Sequence, residues 1–369
     1  MKCHTTVLYG ERCLGTRIHA LDGLRAIAAL LVVIHHLWTG DSASSPIVTF
    51  VHSTTASGVE LFFVLSGVVL GPRYIRAGRP LLVHDYFRRR VERLWPPYVA
   101  AWLVAGLIIA ITTAWPTWWT NSAFLPQFNW GAWLSQLFIV NWWVMPFSFA
   151  WWSLTVEIAF YFMFPLLIPV FRAIRQQPTI LLVVFCSTVL LAVVAYNRVS
   201  IPVIRDLVNY ASCFAAGLVL ATHDISVRTV HFALLGGLSL IFAATVFPDV
   251  NPHVGWGLCY FGVVATALDR LSPLSQRLSS SLLVWVGERS YSLFLIHGSI
   301  IELTYWSISL MVDGKGPAYY LATRAFAILL SMFAAMLLFS CVERRFASGL
   351  VTADHFWPPL LSWRRAWGT

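Results

Sequence analysis

The chain has 369 residues, of which 58% are hydrophobic and 11% charged, with a mean hydropathy of +0.72. That balance excludes an ordinary soluble domain and indicates a polytopic membrane protein. The formal net charge of +9 sits in short segments beside apolar runs rather than on a soluble face, which excludes nucleic acid as a partner and points to basic cytoplasmic loops against membrane lipid.

Six cysteines without a CxxC or ligand-spaced cluster indicate neither a disulfide framework nor a metal site. Residues 1–17 read as a cytoplasmic N-terminal segment without the features of a cleaved signal peptide, so the first apolar helix is expected to be retained. That helix, 21–36 (LDGLRAIAALLVVIHH), places an acid, a base and two imidazoles at membrane depth, where polar groups are costly and default to a functional role. Eleven residues of helix turn through roughly 1100°, so Arg25 and His36 share a face about 16 Å apart along the axis. Asp22 is in reach of Arg25, whereas His35 is rotated about 100° from His36. His36 is therefore the first candidate for chemistry and Arg25 for binding a substrate or cofactor. Taken alone, the helix fits equally a reading in which Asp22 and Arg25 anchor the interface and the histidines bond within the bundle.

A polar loop over 39–57 precedes a second span, 58–70, which carries Glu60; Glu60, Ser66 and Gly67 are assigned to close packing around the first span. Arg73, Arg76, Arg79, Arg88, Arg89, Arg90 and Arg93 follow, a positive-inside signal that places this loop in the cytoplasm. Residues 85–95 are predicted to form a basic helix on the membrane surface, ended by Pro96 and Pro97. Arg90 and Arg93 lie three apart on one face, a spacing that suits phosphate groups and, equally, anionic lipid.

A third span covers 98–113. No charged residue occurs over 114–156, an aromatic outer-face segment in which 133–143 is short for a span; read as interfacial it keeps the count at ten, and read as a span it would invert everything after it. The span over 149–171 returns inward and carries Glu157 in WSLTVEIAFY, with Ser153 and Tyr161 at helical spacing and no base on the same helix to pair with it. Further spans are predicted at 179–196, 206–222, 229–247, 253–269, 288–311 and 318–340. The fold expected is an all-α bundle of about ten transmembrane helices plus interfacial helices, with both termini cytoplasmic: a membrane domain over 18–345 and a short cytoplasmic tail over 346–369. His297, in RSYSLFLIHG, reads either as a packing residue or as a substrate contact.

Together these stretches resemble the acyltransferase family 3 of integral-membrane O-acyltransferases. The matching pieces are LDGLRAIAALLVVIHH with its Arg25-x10-His36 spacing, GVELFFVLSG, the Arg90-x-x-Arg93 pair before LWPPY, WSLTVEIAFY, and SYSLFLIH ending at His297, in the family's order. The resemblance implies transfer of an acyl group, commonly acetyl, from acyl-CoA as co-substrate to a hydroxyl of a carbohydrate, glycolipid or glycosylated natural product. It implies a catalytic role for His36, with Arg25, Arg90, Arg93 and Glu157 in support. On this reading Glu157 works with His36, Arg25, Arg90 and Arg93 bind acyl-CoA, Ser153 and His297 bind substrate, and the location is a bacterial inner membrane. Ile158 departs from the acidic residue that often follows the equivalent of Glu157, and no esterase-like C-terminal domain is fused here. Neutral His36 would accept the acceptor's proton, with Glu157 orienting the imidazole; a covalent acyl-His36 intermediate fits the sequence equally. A rival class is a flippase or exporter of lipid-linked saccharide, with the same polar residues lining its pathway.

Overall fold

The computed structural model describes residues 17–37, 46–76, 80–117, 120, 130–138, 148, 150–174, 176–196, 198–247, 249–312 and 317–347. The 1–16 segment, most of the 346–369 tail, part of the aromatic 114–156 segment and Arg175 lie outside them. The described residues are almost entirely helical, with no strand. In order the helices are α1 (His19–Leu37), α2 (Pro46–Ala56), α3 (Gly58–Gly71), α4 (Val83–Ala114), α5 (Trp130–Gln136), α6 (Trp152–Ile174), α7 (Pro178–Val194) and α8 (Pro202–Thr222). They continue with α9 (Val227–Val246), α10 (Pro252–Leu268), α11 (Pro273–Leu278), α12 (Ser281–Glu288), α13 (Ser290–Ser309), α14 (Pro317–Leu338) and α15 (Arg344–Ala347).

A helix is present at each of the ten predicted spans, and at seven of them the helical stretch is long and apolar enough to cross a membrane, the second of these, Val51–Gly71, running from α2 into α3. The other three are α7 and α10, each 17 residues, and α13, whose 20 residues include buried Ser290, Ser292, His297, Ser299, Glu302 and Thr304. Polar groups dilute the apolarity of α13 because protein, not lipid, surrounds it. The outermost helices show the opposite pattern, with Phe232, Leu235, Leu238 and Phe242 of α9 and Leu321 and Leu329 of α14 exposed as an apolar outer face, as lipid contact requires.

One expected boundary moves. The basic stretch before Pro96 does not end there: α4 runs 32 residues through both prolines. The prolines remove the amides that would bond the carbonyls of Glu92 and Arg93, and beside that gap the Tyr291 hydroxyl of α13 donates to the Leu94 carbonyl at 2.8 Å. A neighbouring helix thus supports the weakened turn, which is how prolines are tolerated inside spans.

Two apolar clusters fill the interior, and α1 is the wall between them. Ala20, Leu24 and Ala28 pack into a cluster with α3, α6, α8 and α10, while Ala29, Val32, Val33 and Leu37 pack into another with α4, α13 and α14. Lipid tails are as apolar as leucine, so close backbone approach, rather than water exclusion, holds such helices together. Gly58 supplies it against α1, where a methyl group would come within 2.6 Å of the Ala28 carbonyl oxygen. Gly67 supplies it against Gly217 of α8 rather than against the first span, where the sequence reading placed it.

Candidate active site

The two ends of α1 carry different chemistry. At the first, Arg25 is held by Asp22 one turn earlier, Nη1 to Oδ1 at 3.4 Å. Asp22 is itself buried and accepts from Arg17 at 2.8 Å, and Arg17 also reaches Glu288 of α12 at 2.8 Å. The hydrogen bond to Asp22 raises the pKa of the half-exposed Arg17, which stands outside the spans.

Beside Arg25 lies a cleft of about 80 Å³, lined by Arg90, Arg93, Ser66, Ser153, Glu157 and Tyr161 among others. It shares Arg25, Arg90, Arg93, Ser290 and Tyr291 with a wider vestibule of about 1220 Å³, whose wall holds seven arginines against four carboxylates. The structure therefore brings together five of the residues singled out in the sequence: Arg25, Arg90, Arg93, Ser153 and Glu157. The Arg90 guanidinium lies against the rings of Tyr86 and Tyr161, at 5.3 and 5.0 Å from their centroids, and its buried Nε makes no hydrogen bond. Arg25 and Arg93 act on each other as like charges.

Glu157 accepts from the Ser66 hydroxyl at 3.1 Å and from the Tyr161 hydroxyl one turn on. Its described hydrogen bonds do not include His36, because α6 presents it at the level of Arg25 and Arg90 rather than at the far end of α1. The expectation that Glu157 works with His36 comes from the family resemblance; the described hydrogen bonds join Glu157 to Ser66 and Tyr161.

The far end of α1 gathers imidazoles. His36 Nδ1 lies 2.8 Å from the Val32 carbonyl oxygen and 3.2 Å from Nε2 of the fully buried His297, whose own Nδ1 lies 3.0 Å from the Leu293 carbonyl oxygen. A carbonyl oxygen only accepts, so each Nδ1 carries the proton. His297 Nε2 is then the acceptor for His36 Nδ1–H, and the lone pair of neutral His36 is on Nε2. Two backbone carbonyls thereby assign both tautomers.

His35 turns to another partner, its Nδ1 donating to the His52 carbonyl of α2 at 3.0 Å and its ring 4.1 Å from that of His52. The rotation of about 100° between the two histidines thus appears as two different neighbours, α13 and α2.

Three residues that sequence reasoning did not single out belong to this description. Besides His52, Glu343 caps α13 by accepting from the Ser292 amide at 3.2 Å and the Ser292 hydroxyl at 2.5 Å. Ser148 has a buried hydroxyl without a hydrogen bond, beside Gly298, the residue after His297. None carries a local sequence signal, since each acts on an element remote in the chain.

Comparison with known proteins fits this arrangement. Residues 18–343 match the family model described as an acyltransferase domain. Among similar curated proteins, "Putative O-acetyltransferase SACOL0978" of Staphylococcus aureus (strain COL) is 24% identical over 345 residues, covering 82% of this chain and 53% of that protein. "Acyltransferase MdmB" of Streptomyces mycarofaciens is 26% identical, covering 78% of this chain and 79% of its own length. "Putative peptidoglycan O-acetyltransferase YrhL" of Bacillus subtilis (strain 168) is 27% identical, covering 78% of this chain and 49% of that protein. The chain thus spans about half the length of the staphylococcal and Bacillus relatives. No solved structure matches it. With the family model matching nearly the whole helical bundle, the chain belongs to the acyltransferase domain family.

Proposed function

We propose that this chain is a membrane-embedded O-acyltransferase, moving an acyl group, acetyl by the names of its relatives, from acyl-CoA to a hydroxyl of a carbohydrate or carbohydrate-bearing acceptor. The observation that carries the reading is the tautomer-locked His36–His297 pair, at the opposite end of α1 from an arginine-lined cleft. A donor with anionic phosphates and a thioester at the end of a long arm matches two sites on one helix, about 16 Å apart along its axis.

At the arginine end, the vestibule's excess of guanidinium groups attracts a polyanion. The unpaired, buried Arg90 Nε is a donor in want of an acceptor, and guanidinium forks suit phosphate oxygens. Glu157, tied to Ser66 and Tyr161, orders the wall of that cleft.

At the histidine end, His36 Nε2 takes the proton of the acceptor hydroxyl as its oxygen forms a bond to the acyl carbon. The carbon–sulfur bond breaks, and the CoA thiolate receives the proton back from His36. During this cycle Nδ1–H of His36 continues to donate to Val32 and His297, so the ring does not turn. Counting α7, α10 and α13 as crossings gives ten spans, with the vestibule and both described ends of the chain on the cytoplasmic face of a bacterial inner membrane, where acyl-CoA is made.

The test is incubation of the purified chain in lipid nanodiscs with radiolabelled acetyl-CoA and a panel of glycans and lipid-linked saccharides. Label in the acceptor with stoichiometric thiol release is expected. Movement of saccharide across the bilayer without thioester cleavage would make the protein a carrier instead.

A further inference from the structure

Each ring of the histidine pair is tied to its own helix, His36 to the Val32 carbonyl of α1 and His297 to the Leu293 carbonyl of α13. Their mutual contact, at 3.2 Å, lies at the long end of the hydrogen-bond range, so a shift of a few tenths of an ångström between the two helices would break it. The apolar cluster in which α1 and α13 meet, with Leu37, Leu293 and Ile296 among its members, does not fix that spacing by itself, because apolar contact has no direction. A directional contact to each helix does, and α14 makes one to each.

Arg324 lies about two turns into α14, within a stretch long and apolar enough to cross a membrane, where a guanidinium is costly and defaults to a functional role. An arginine near the end of a span can run its charge out to the lipid surface, but this one turns inward. Tyr320 and Ile328, one turn before and one turn after it, pack on the apolar cluster that contains Val33 and Leu37, and Arg324 is on their stripe. Its Nε donates at 3.2 Å to the carbonyl of Leu37, the last residue of α1 and the neighbour of His36. Carbonyls in the last turn have no partner within their own helix, and in lipid they must find one elsewhere. Further along, in the π-helical turn Phe339–Glu343 that continues α14, Glu343 accepts from the Ser292 amide at 3.2 Å and from the Ser292 hydroxyl at 2.5 Å. Ser292 is fully buried and stands about 7.5 Å before His297 along α13.

Resting on the proposed transferase reading, we infer that Arg324 is a positioning residue: α14 braces α1 through the Arg324–Leu37 contact and α13 through the Glu343–Ser292 contact, and so holds the His36 and His297 rings at hydrogen-bond distance. Arg324 acts through the backbone of α1, not on either ring. A guanidinium suits the task, because it keeps its charge at membrane depth and a hydrogen bond from a charged donor is about twice as strong as a neutral one. Its positive charge also stands at the C-terminal end of α1, where the helix dipole is negative.

The test uses the full chain in lipid nanodiscs with isotopically labelled histidine, and follows the ring-nitrogen resonances by NMR alongside acetyl-CoA turnover. The His297 Nε2 signal is assigned by its loss in His297→Gln, and its position without a donor is taken from His36→Ala. In Arg324→Ala that signal is expected to move most of the way to its position in His36→Ala, while maximal turnover falls about tenfold with KM for acetyl-CoA unchanged. Arg324→Lys, which keeps a charged donor, should restore most of both, and Arg324→Gln gives the same readout should Arg324→Ala fail to fold. Adding Arg324→Ala to His297→Ala should cost little more than either change alone, since both act on one contact. An unmoved His297 signal in the folded variants, or losses of turnover that simply add, overturns the inference. Because the resonance does not depend on turnover, a moved signal in a protein that transfers no acetyl group would remove the transferase reading and leave the brace standing.

Discussion

The two ends of α1 solve the problem of polar groups in a membrane differently. At the Arg25 end, charges are kept and answered: Arg17, Asp22, Arg25 and Glu288 form a chain of ion pairs beside an open vestibule. At the His36 end, His36, His297 and His35 each donate to a backbone carbonyl. Charge held permanently suits the gripping of an anion. Neutral rings with fixed tautomers suit proton transfer, in which charge must appear and vanish within a turnover. On the function proposed here, the length of one helix separates binding from proton transfer.

The largest expected effect breaks the histidine end. His36→Ala should lower acetyl transfer by about a thousandfold, within the range for loss of a general base, while His35→Ala stays within about tenfold. Thiol release from acetyl-CoA with a competent acceptor measures both. Equal losses would remove the distinction that their separate partners draw between them.

A smaller loss is expected from the support of that ring. His297→Ala removes the acceptor for His36 Nδ1–H, and one such hydrogen bond is worth about 0.5–1.5 kcal/mol, so maximal turnover should fall up to about tenfold. His297→Gln, whose side-chain oxygen can accept, should recover part of it. A change confined to KM for acetyl-CoA would place His297 with the donor instead.

The arginine end should respond in the opposite parameter. Arg90→Ala or Arg93→Ala should raise KM for acetyl-CoA about tenfold or more, since hydrogen bonds to charged groups are worth about 1.5–3 kcal/mol, with little change in maximal turnover. Arg→Lys should restore it incompletely because the planar fork is lost. Glu157→Gln is expected to act in the same direction but more weakly, leaving the pH profile of turnover in place, because its partners are Ser66 and Tyr161. A shifted pH profile in Glu157→Gln would return it to the histidine end.

What could be read from the sequence was what lies within one helix. The apolar runs located every predicted span as a helix, and the Asp22–Arg25 contact follows from three-residue spacing. The phase of α1 separated His35 from His36, and the structure gives them different neighbours. Contacts across the chain were not legible. His36 and His297 are 261 positions apart, and Leu37 and Arg324 are 287 apart. Periodicity places a side chain on a face but does not say which helix covers that face. The misplaced end at Pro96–Pro97 has the same origin: local rules stop a helix at two prolines, whereas Tyr291 from α13 supports this one through them.

The most direct measurement is equilibrium binding of acetyl-CoA to His36→Ala beside Arg90→Ala, each compared with the unaltered chain in nanodiscs and each assayed for transfer. If donor binding and proton transfer occupy opposite ends of α1, His36→Ala binds acetyl-CoA with unchanged Kd and transfers about a thousandfold more slowly, whereas Arg90→Ala binds about tenfold more weakly and still transfers at saturating donor. Loss of acetyl-CoA binding in His36→Ala, or undiminished binding in Arg90→Ala, would contradict that division.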